Sequence, residues 1–136
     1  MKQITVPAKD ESLDEINAFV ESELEDTACS PKTMIQLEVA IEEIFVNIAH
    51  YAYEDEGTAV IKLEKGGSPM SVAITFEDTG MPFDPLAKED PDVTLSAEER
   101  RIGGLGIFMV KKSMDDVQYR HEDGKNILTI RKQIEG

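Results

Sequence analysis

A carboxylate and a carboxamide lie four residues apart near the middle of the chain, at Glu43 and Asn47. Residues four apart on a helix are neighbours, so these two side chains can act on one ligand. The carboxylate can accept a proton or orient a hydroxyl group, and the amide oxygen suits a hard cation such as Mg²⁺. The pair permits acid–base chemistry beside a magnesium ion, and a solvated helix flank in a Glu-rich protein is the alternative interpretation.

Residues 34–53 are predicted to form the helix that carries this pair, because apolar residues recur there at steps of three and four. The apolar stripe consists of Leu37, Ile41, Ile44, Ile48 and Ala52. A second stripe beside it consists of Gln36, Glu43, Asn47 and His50. Positions that flank a buried stripe usually line a cleft or an interface. We therefore expect His50 at a cleft edge, with a neutral structural histidine as an equal alternative.

Two further motifs could hold a ligand, one after a predicted strand and one before a predicted helix. They read Asp78-Thr79-Gly80 and Gly103-Gly104-Leu105-Gly106. A helix N-terminus offers unpaired N–H groups and a positive dipole end to phosphate, although glycines there often form only a tight turn. A dinucleotide-binding fingerprint is disfavoured, because that motif directly follows a strand in a parallel βαβ unit.

Alternating and helical patterns place the other elements around these motifs. Strands are predicted at residues 1–7, 59–63, 71–77, 117–120 and 126–132, and helices from Ser12 onward and at 106–114. Ser12 and Glu15 have the spacing of a capping box, and Ser30 before Pro31 is predicted to cap the long helix. The fold class is α+β, a two-layer sandwich with helices on one face of a mixed, mostly antiparallel sheet.

Residues 80–102 lack apolar periodicity and include an Arg pair, Arg100 and Arg101. A loop of this length is uncommon inside a compact domain unless it serves as a lid or a binding loop. A disordered segment is the alternative interpretation.

Composition limits the class of protein. A chain of 136 residues with 40% hydrophobic residues supports a single domain, 1–136. Its net charge of -14 disfavours nucleic acid as a partner and leaves a basic protein partner possible. Cys29 is the single cysteine, which excludes an internal disulfide. We expect no secretion signal, no membrane association and a cytoplasmic location.

These motifs, in this order, resemble the ATP-binding domain of the histidine kinase, gyrase and Hsp90 (GHKL) superfamily. Within it, the chain is most similar to stand-alone anti-sigma-factor serine kinases. The resemblance covers about residues 33–132 and rests on Glu43-Ile44-Phe45-Val46-Asn47, on Asp78-Thr79-Gly80 with Pro82-Phe83-Asp84-Pro85, and on Gly103-Gly104-Leu105-Gly106. It implies the Bergerat ATP-binding fold, with ATP and Mg²⁺ as cofactors.

The resemblance also implies roles for single residues. Glu43 is expected as the general base or the group that orients the attacking hydroxyl, and Asn47 as the Mg²⁺ ligand. Asp78 is expected to accept a hydrogen bond from the adenine amino group, and Gly80 to let the backbone pass close to the base.

The glycine-rich motif is expected to bind the phosphates, through Gly103, Gly104, Leu105 and Gly106, with Arg100 or Arg101 as a charge partner. Many relatives place a threonine of the penultimate strand region in the nucleotide site. Here either Asn126 or Thr129 could take that place.

Two functions follow from the resemblance. The first is an ATP-dependent serine/threonine kinase that phosphorylates a small antagonist protein in a partner-switching system. The second is a nucleotide-gated module that sequesters a sigma factor or another regulator without phosphoryl transfer. A homodimer is possible in either case, and 136 residues leave no room for the dimerising domain of a sensor histidine kinase.

Overall fold

The computed structural model describes residues 1–52, 57–81 and 104–135, with only the backbone at 51–52 and 104–108. In chain order, its elements are β1 (Lys2–Pro7), a 3₁₀ turn (Asp10–Ser12), α1 (Leu13–Leu24), α2 (Pro31–Asn47), a π-helical turn (Ile48–Ala52), β2 (Thr58–Gly66), β3 (Ser71–Asp78), α3 (Gly104–Ser113), β4 (Asp116–Glu122) and β5 (Lys125–Gln133). Most of the predicted lid at 80–102 lies outside the described residues, as do Arg100, Arg101 and Gly103.

The strands form one sheet in the order β1-β2-β3-β5-β4. All four adjacent pairs are antiparallel, so the mixed sheet that we predicted has no parallel pair among the described strands. The reason is that β5 returns from β4 by a hairpin and lies between β3 and β4. These two strands run in the same direction without being neighbours. Strand β1 lies at an edge, as predicted, and β4 lies at the opposite edge.

The helices cover one face of this sheet, and the alternation of side chains along each strand decides which residues they bury. In β3, the buried residues are Val72, Ile74, Phe76 and Asp78. The helices contribute Ile16, Val20, Leu24, Leu37, Ala40, Ile41, Ile44, Phe45 and Val110 to the same core. The predicted two-layer α+β architecture is therefore confirmed. None of the helices in the described ranges is long and apolar enough to span a bilayer.

Helix α2 begins at Pro31, as the predicted cap at Ser30 requires, although the apolar pattern alone placed its start at residue 34. The Ser30 hydroxyl oxygen accepts a hydrogen bond from the N–H of Thr33 at 3.1 Å, and proline occupies the first helical turn. The predicted apolar stripe is correct at Leu37, Ile41 and Ile44, but the full buried face also includes Ala40 and Phe45.

The predicted capping box of α1 is wrong. Ser12 has helical backbone angles and makes no side-chain cap hydrogen bond. A 3₁₀ turn feeds directly into α1, and the Ser12 N–H donates to the carbonyl of Lys9 at 3.0 Å within that turn. A residue already inside a turn has no extended cap geometry from which its side chain could reach forward.

The β4–β5 hairpin closes through Asp123 and Gly124, which both have positive φ, 54° and 75°. Asp-Gly is favoured in such two-residue turns because both positions need left-handed backbone. The turn fixes the register of the hairpin, so that Tyr119 lies opposite Leu128 and His121 lies opposite Asn126.

The end of β3 and the start of β2 lie at one end of the domain. Asp78 at the end of β3 lies opposite Ala59 at the start of β2, and β2 follows α2 after a short connection. The last carbonyl of α3, at Ser113, accepts a hydrogen bond at 2.8 Å from Lys132, which lies opposite Val72 at the far end of β3. The C-terminus of α3 therefore lies at the end of the sheet opposite to Asp78.

Candidate active site

Asp78 ends β3 on the face of the sheet that the helices cover, and only 6% of its surface is exposed. Its Oδ1 accepts hydrogen bonds from the backbone N–H of Gly80 and from Nδ2 of Asn126, both at 2.9 Å. No described residue donates a hydrogen bond to Oδ2 of Asp78. One acceptor oxygen is therefore left for a ligand, as recognition of a base amino group requires.

Asn126 is the second residue of β5 and lies directly opposite Asp78, and it too is 6% exposed. Its Nδ2 also donates to the carbonyl of Met81 at 3.0 Å, and its Oδ1 accepts a hydrogen bond from the hydroxyl of Tyr119. Thr129 lies on the opposite face of β5, where its hydroxyl is 3.0 Å from that of Thr75. Of the two residues that the sequence left open, Asn126 is therefore the one beside Asp78.

Sequence reasoning missed Tyr119. The signal was available, because an Asp-Gly turn fixes the hairpin register and that register puts Tyr119 and Asn126 on one face. Side chains two residues apart along a cross-strand diagonal are within reach of a long aromatic residue.

Helix α2 presents Glu43 and Asn47 one turn apart, and both are half-buried whereas Glu42 is exposed. This burial disfavours the solvated-flank interpretation of the pair. Burial, and secondly the charge of Glu42, raises the pKa of the Glu43 carboxyl above its ordinary value. A carboxylate whose pKa is closer to neutrality is a more effective general base.

His50 does not continue the stripe of Glu43 and Asn47. It lies in the π-helical turn Ile48–Ala52, which changes the helical spacing after Asn47. Its Nε2 is 2.9 Å from both carboxylate oxygens of Asp10, and both residues are exposed. Of the two interpretations of His50, this contact favours a structural role that links the end of α2 to the turn before α1.

Helix α3 begins at Gly104, two residues earlier than predicted, so Gly104, Leu105 and Gly106 lie in its first turn. The backbone N–H groups of a first turn have no partner inside the helix and point along its axis. N–H groups of this kind bind anions at helix N-termini. Gly103 lies outside the residues that the structure describes.

No group of three or more His, Cys, Asp or Glu side chains in the described ranges could hold a metal ion. Mg²⁺ in nucleotide sites needs only one or two protein oxygens, because waters and phosphates complete its shell. The Asn47 carboxamide makes no hydrogen bond to another described residue, so its oxygen is available. The residues present therefore fit a metal held jointly by Asn47 and phosphates.

Comparison with known proteins identifies the family and several relatives of this chain. The family model of the histidine kinase-like ATPase domain matches residues 6–132. The serine-protein kinase RsbW of Listeria monocytogenes is 29% identical over 107 residues, which cover 73% of this chain and 68% of that protein. The serine-protein kinase RsbW of Oceanobacillus iheyensis is 27% identical over 135 residues, which cover 93% and 82%.

Two solved structures share the fold. One contains the RsbU and RsbW domains of Rv1364c from Mycobacterium tuberculosis, with a TM-score of 0.64 at 12% identity, covering 100% of this chain and 33% of that one. The other is the SiaB–SiaC complex from Pseudomonas aeruginosa, with a TM-score of 0.59 at 15% identity, covering 97% and 89%. Because the family model spans nearly the whole chain, this protein belongs to the histidine kinase-like ATPase domain family.

Proposed function

We propose that this protein is an ATP-dependent serine/threonine kinase that phosphorylates a serine on a small antagonist protein in a partner-switching system. The observation that carries the proposal is the half-buried Glu43, with its raised pKa, one turn before Asn47. A module that only binds nucleotide needs no base at this position. The relatives named serine-protein kinase support the same activity.

Each residue has a defined task in this mechanism. Asp78 accepts a hydrogen bond from the adenine amino group, and Gly80 lets the backbone lie close to the base. The first turn of α3 binds the phosphates through N–H groups of Gly104, Leu105 and Gly106, and Gly103 extends that segment. In this proposal the phosphate chain runs from the base at Asp78 to the first turn of α3.

Glu43 then orients the serine hydroxyl and accepts its proton as the oxygen attacks the γ-phosphorus, while the bond to the β-phosphate oxygen breaks and ADP leaves. Phosphoryl transfer depends mainly on positioning and charge stabilisation. Mg²⁺, when bound to Asn47 and the phosphates, supplies charge neutralisation. Arg100 or Arg101 is a further charge partner in the proposal.

The partner is expected to carry basic or neutral contact surface, because the chain has a net charge of -14. Opposite charge speeds association by steering, whereas an acidic partner is repelled. A small antagonist protein supplies the acceptor serine, and a sigma factor is the second partner that we propose. The SiaB–SiaC complex shows that a protein of this fold is found with a protein partner.

For a homodimer, we favour the uncovered face of the sheet. That face has a shallow concavity of about 320 Å³ and carries charges of both signs, including the ion pair of Lys62 and Glu77 at 2.5 Å. Two copies of a strongly acidic chain repel each other less where charges of both signs are present. The variant Ile127→Asp places a charge at a half-buried position of this face. If two copies pair through the face, the variant should halve the mass measured by light scattering.

The kinase proposal is tested by two variants on one helix. Glu43→Ala should abolish transfer of radiolabelled phosphate to the partner serine while ATP affinity stays within a few-fold of wild type, because a base acts only in the transition state. Asn47→Ala should lose Mg²⁺-dependent nucleotide binding, because a metal ligand already acts in the ground state. Glu15→Ala, at an exposed position of α1, is the matched control and should change neither.

The partner for this assay can be found by co-purification with the wild-type protein. If the wild type binds ATP and that partner but never transfers phosphate, the kinase proposal fails. The nucleotide-gated binding module then takes its place.

A further inference from the structure

The amide of Asn126 connects the hydroxyl of the half-buried Tyr119 to the carboxylate that reads the base. On one side, its Nδ2 donates to Oδ1 of Asp78 at 2.9 Å and to the carbonyl of Met81 at 3.0 Å. On the other side, its Oδ1 accepts the hydrogen bond from the hydroxyl of Tyr119. Asp78 and Asn126 are both among the buried polar residues, so water is largely excluded from the contact between them.

These contacts determine the orientation of the amide. Asp78 and Met81 present acceptors, which must face the NH₂ group, whereas Tyr119 presents a donor, which must face the carbonyl oxygen. The flipped amide would turn its oxygen towards a carboxylate and a carbonyl. A buried polar group without a partner is costly, so the hydroxyl of Tyr119 holds the amide in one orientation.

We propose that Asn126 and Tyr119 are positioning residues that hold the Asp78 carboxylate in the orientation that selects adenine over guanine nucleotides. The proposal rests on the proposed role of Asp78 in reading the base. Asn126 occupies Oδ1 of Asp78 together with the N–H of Gly80, which leaves Oδ2 as the atom that faces the ligand. A carboxylate that can rotate would present its oxygens less often in that direction.

The same amide also holds the turn after β3. Its donation to the carbonyl of Met81 joins the backbone of that turn to the start of β5, which lies opposite Asp78. The carboxylate and the turn on which Gly80 lies are therefore positioned by one side chain. Loss of this side chain's orientation changes how the base is read, whereas a general loss of stability weakens all nucleotides alike.

Tyr119→Phe tests the proposal, because it removes only the hydroxyl. Calorimetric titration with Mg-ATP and Mg-GTP should show ATP binding weakened by about 3- to 10-fold, the usual worth of one hydrogen bond, with a smaller change for GTP. The control is Thr129→Val, which removes a cross-strand hydroxyl from the opposite face of the sheet, at 3.0 Å from that of Thr75. It should leave the ratio of the two affinities unchanged.

Asn126→Asp provides a second measurement. It places a carboxylate against Asp78, so it should reduce the ATP-to-GTP affinity ratio more than Tyr119→Phe does. An unchanged ratio in Tyr119→Phe, beside a collapsed ratio in Asp78→Asn, would overturn the positioning role and leave the role of Asp78 intact. Equal affinities of the wild type for ATP and GTP would overturn both. Equal weakening of both nucleotides in Tyr119→Phe would show a merely structural contact and would also overturn the proposal.

Discussion

The substitution Asp78→Asn should change which nucleotide the protein prefers, and the surroundings of Asp78 explain why. Oδ1 of Asp78 faces two donors, the N–H of Gly80 and Nδ2 of Asn126, both at 2.9 Å. The amide of an asparagine at this position must turn its carbonyl oxygen towards those two donors. Its NH₂ group then occupies the place of Oδ2 and presents a donor to the ligand.

The expected magnitude follows from this exchange. ATP loses a charge-assisted hydrogen bond to its adenine amino group, which costs about 1.5–3 kcal/mol, or about 10- to 150-fold in Kd. Two donors then face each other, so the loss should lie in the upper part of that range. The carbonyl of guanine can instead accept from the new NH₂ group, so GTP affinity should hold or rise.

Calorimetric titration of the wild type and of Asp78→Asn with ATP, ADP and GTP measures the exchange. Thermal unfolding of both proteins without nucleotide is the control, because the asparagine carbonyl retains the two internal hydrogen bonds and the fold should persist. If the folded variant still prefers ATP over GTP as strongly as the wild type does, Asp78 does not read the base.

Four further predictions concern stability and pH. A hydrogen bond with Glu21 and, secondly, burial raise the pKa of Glu38 to about 7. The folded state therefore holds this proton more tightly than the unfolded state does, so the free energy of unfolding should fall as pH rises from about 5 to 8. Glu38→Gln should therefore stabilise the protein at pH 8 and not at pH 5 in denaturant unfolding, whereas an equal effect at both pH values would contradict the shift. Ser30→Ala should cost about 0.5–2 kcal/mol of unfolding free energy and Ser12→Ala much less, because only Ser30 makes a side-chain cap hydrogen bond. Phe45→Ala should cost about 3–5 kcal/mol, while Val39→Ala, 47% exposed on the same helix, should stay near wild type. The pKa that governs the acid side of the kcat/KM profile should lie above the ordinary pKa of a glutamate and should fall in Glu42→Gln, because the charge of Glu42 helps to raise the pKa of Glu43. An unchanged profile in Glu42→Gln would argue against Glu43 as the base.

The sequence predicted the elements of this fold well where one period dominated. The alternation in β3 predicted its buried face correctly. The helix cap at Ser30 and the hairpin turn at Asp123-Gly124 depend on neighbouring residues only, so the sequence shows them directly. The predicted cap at Ser12 was wrong because the residues before Ser12 form a 3₁₀ turn, which the capping-box pattern does not reveal. His50 lies off the predicted stripe because nothing in the sequence marks the change from α-helical to π-helical spacing.

The sequence predicted single candidate site residues but not the contacts between them. Asn47 was singled out by its spacing from Glu43, whereas the role expected of Asp78 came from the family resemblance. The residue of β5 that lies beside Asp78 was not predicted, because the sequence left open whether Asn126 or Thr129 reaches the nucleotide site. Only the pairing of β3 with β5 decides between them, since it turns Asn126 to the covered face and Thr129 to the open one. Contacts across 48 residues of chain, as between Asp78 and Asn126, depend on sheet order, which local patterns do not encode.

The position of β4 at the edge of the sheet has a consequence for hydrogen exchange. An edge strand pairs on one side only, so it is among the first elements to open locally. Opening β4 removes Tyr119 from Asn126, so we expect ATP to bind the open strand about 3- to 10-fold more weakly, as in Tyr119→Phe. Saturating ATP should then slow amide exchange along Asp116–Glu122 by up to about the same factor where exchange proceeds through this opening. An edge strand would thereby report nucleotide occupancy.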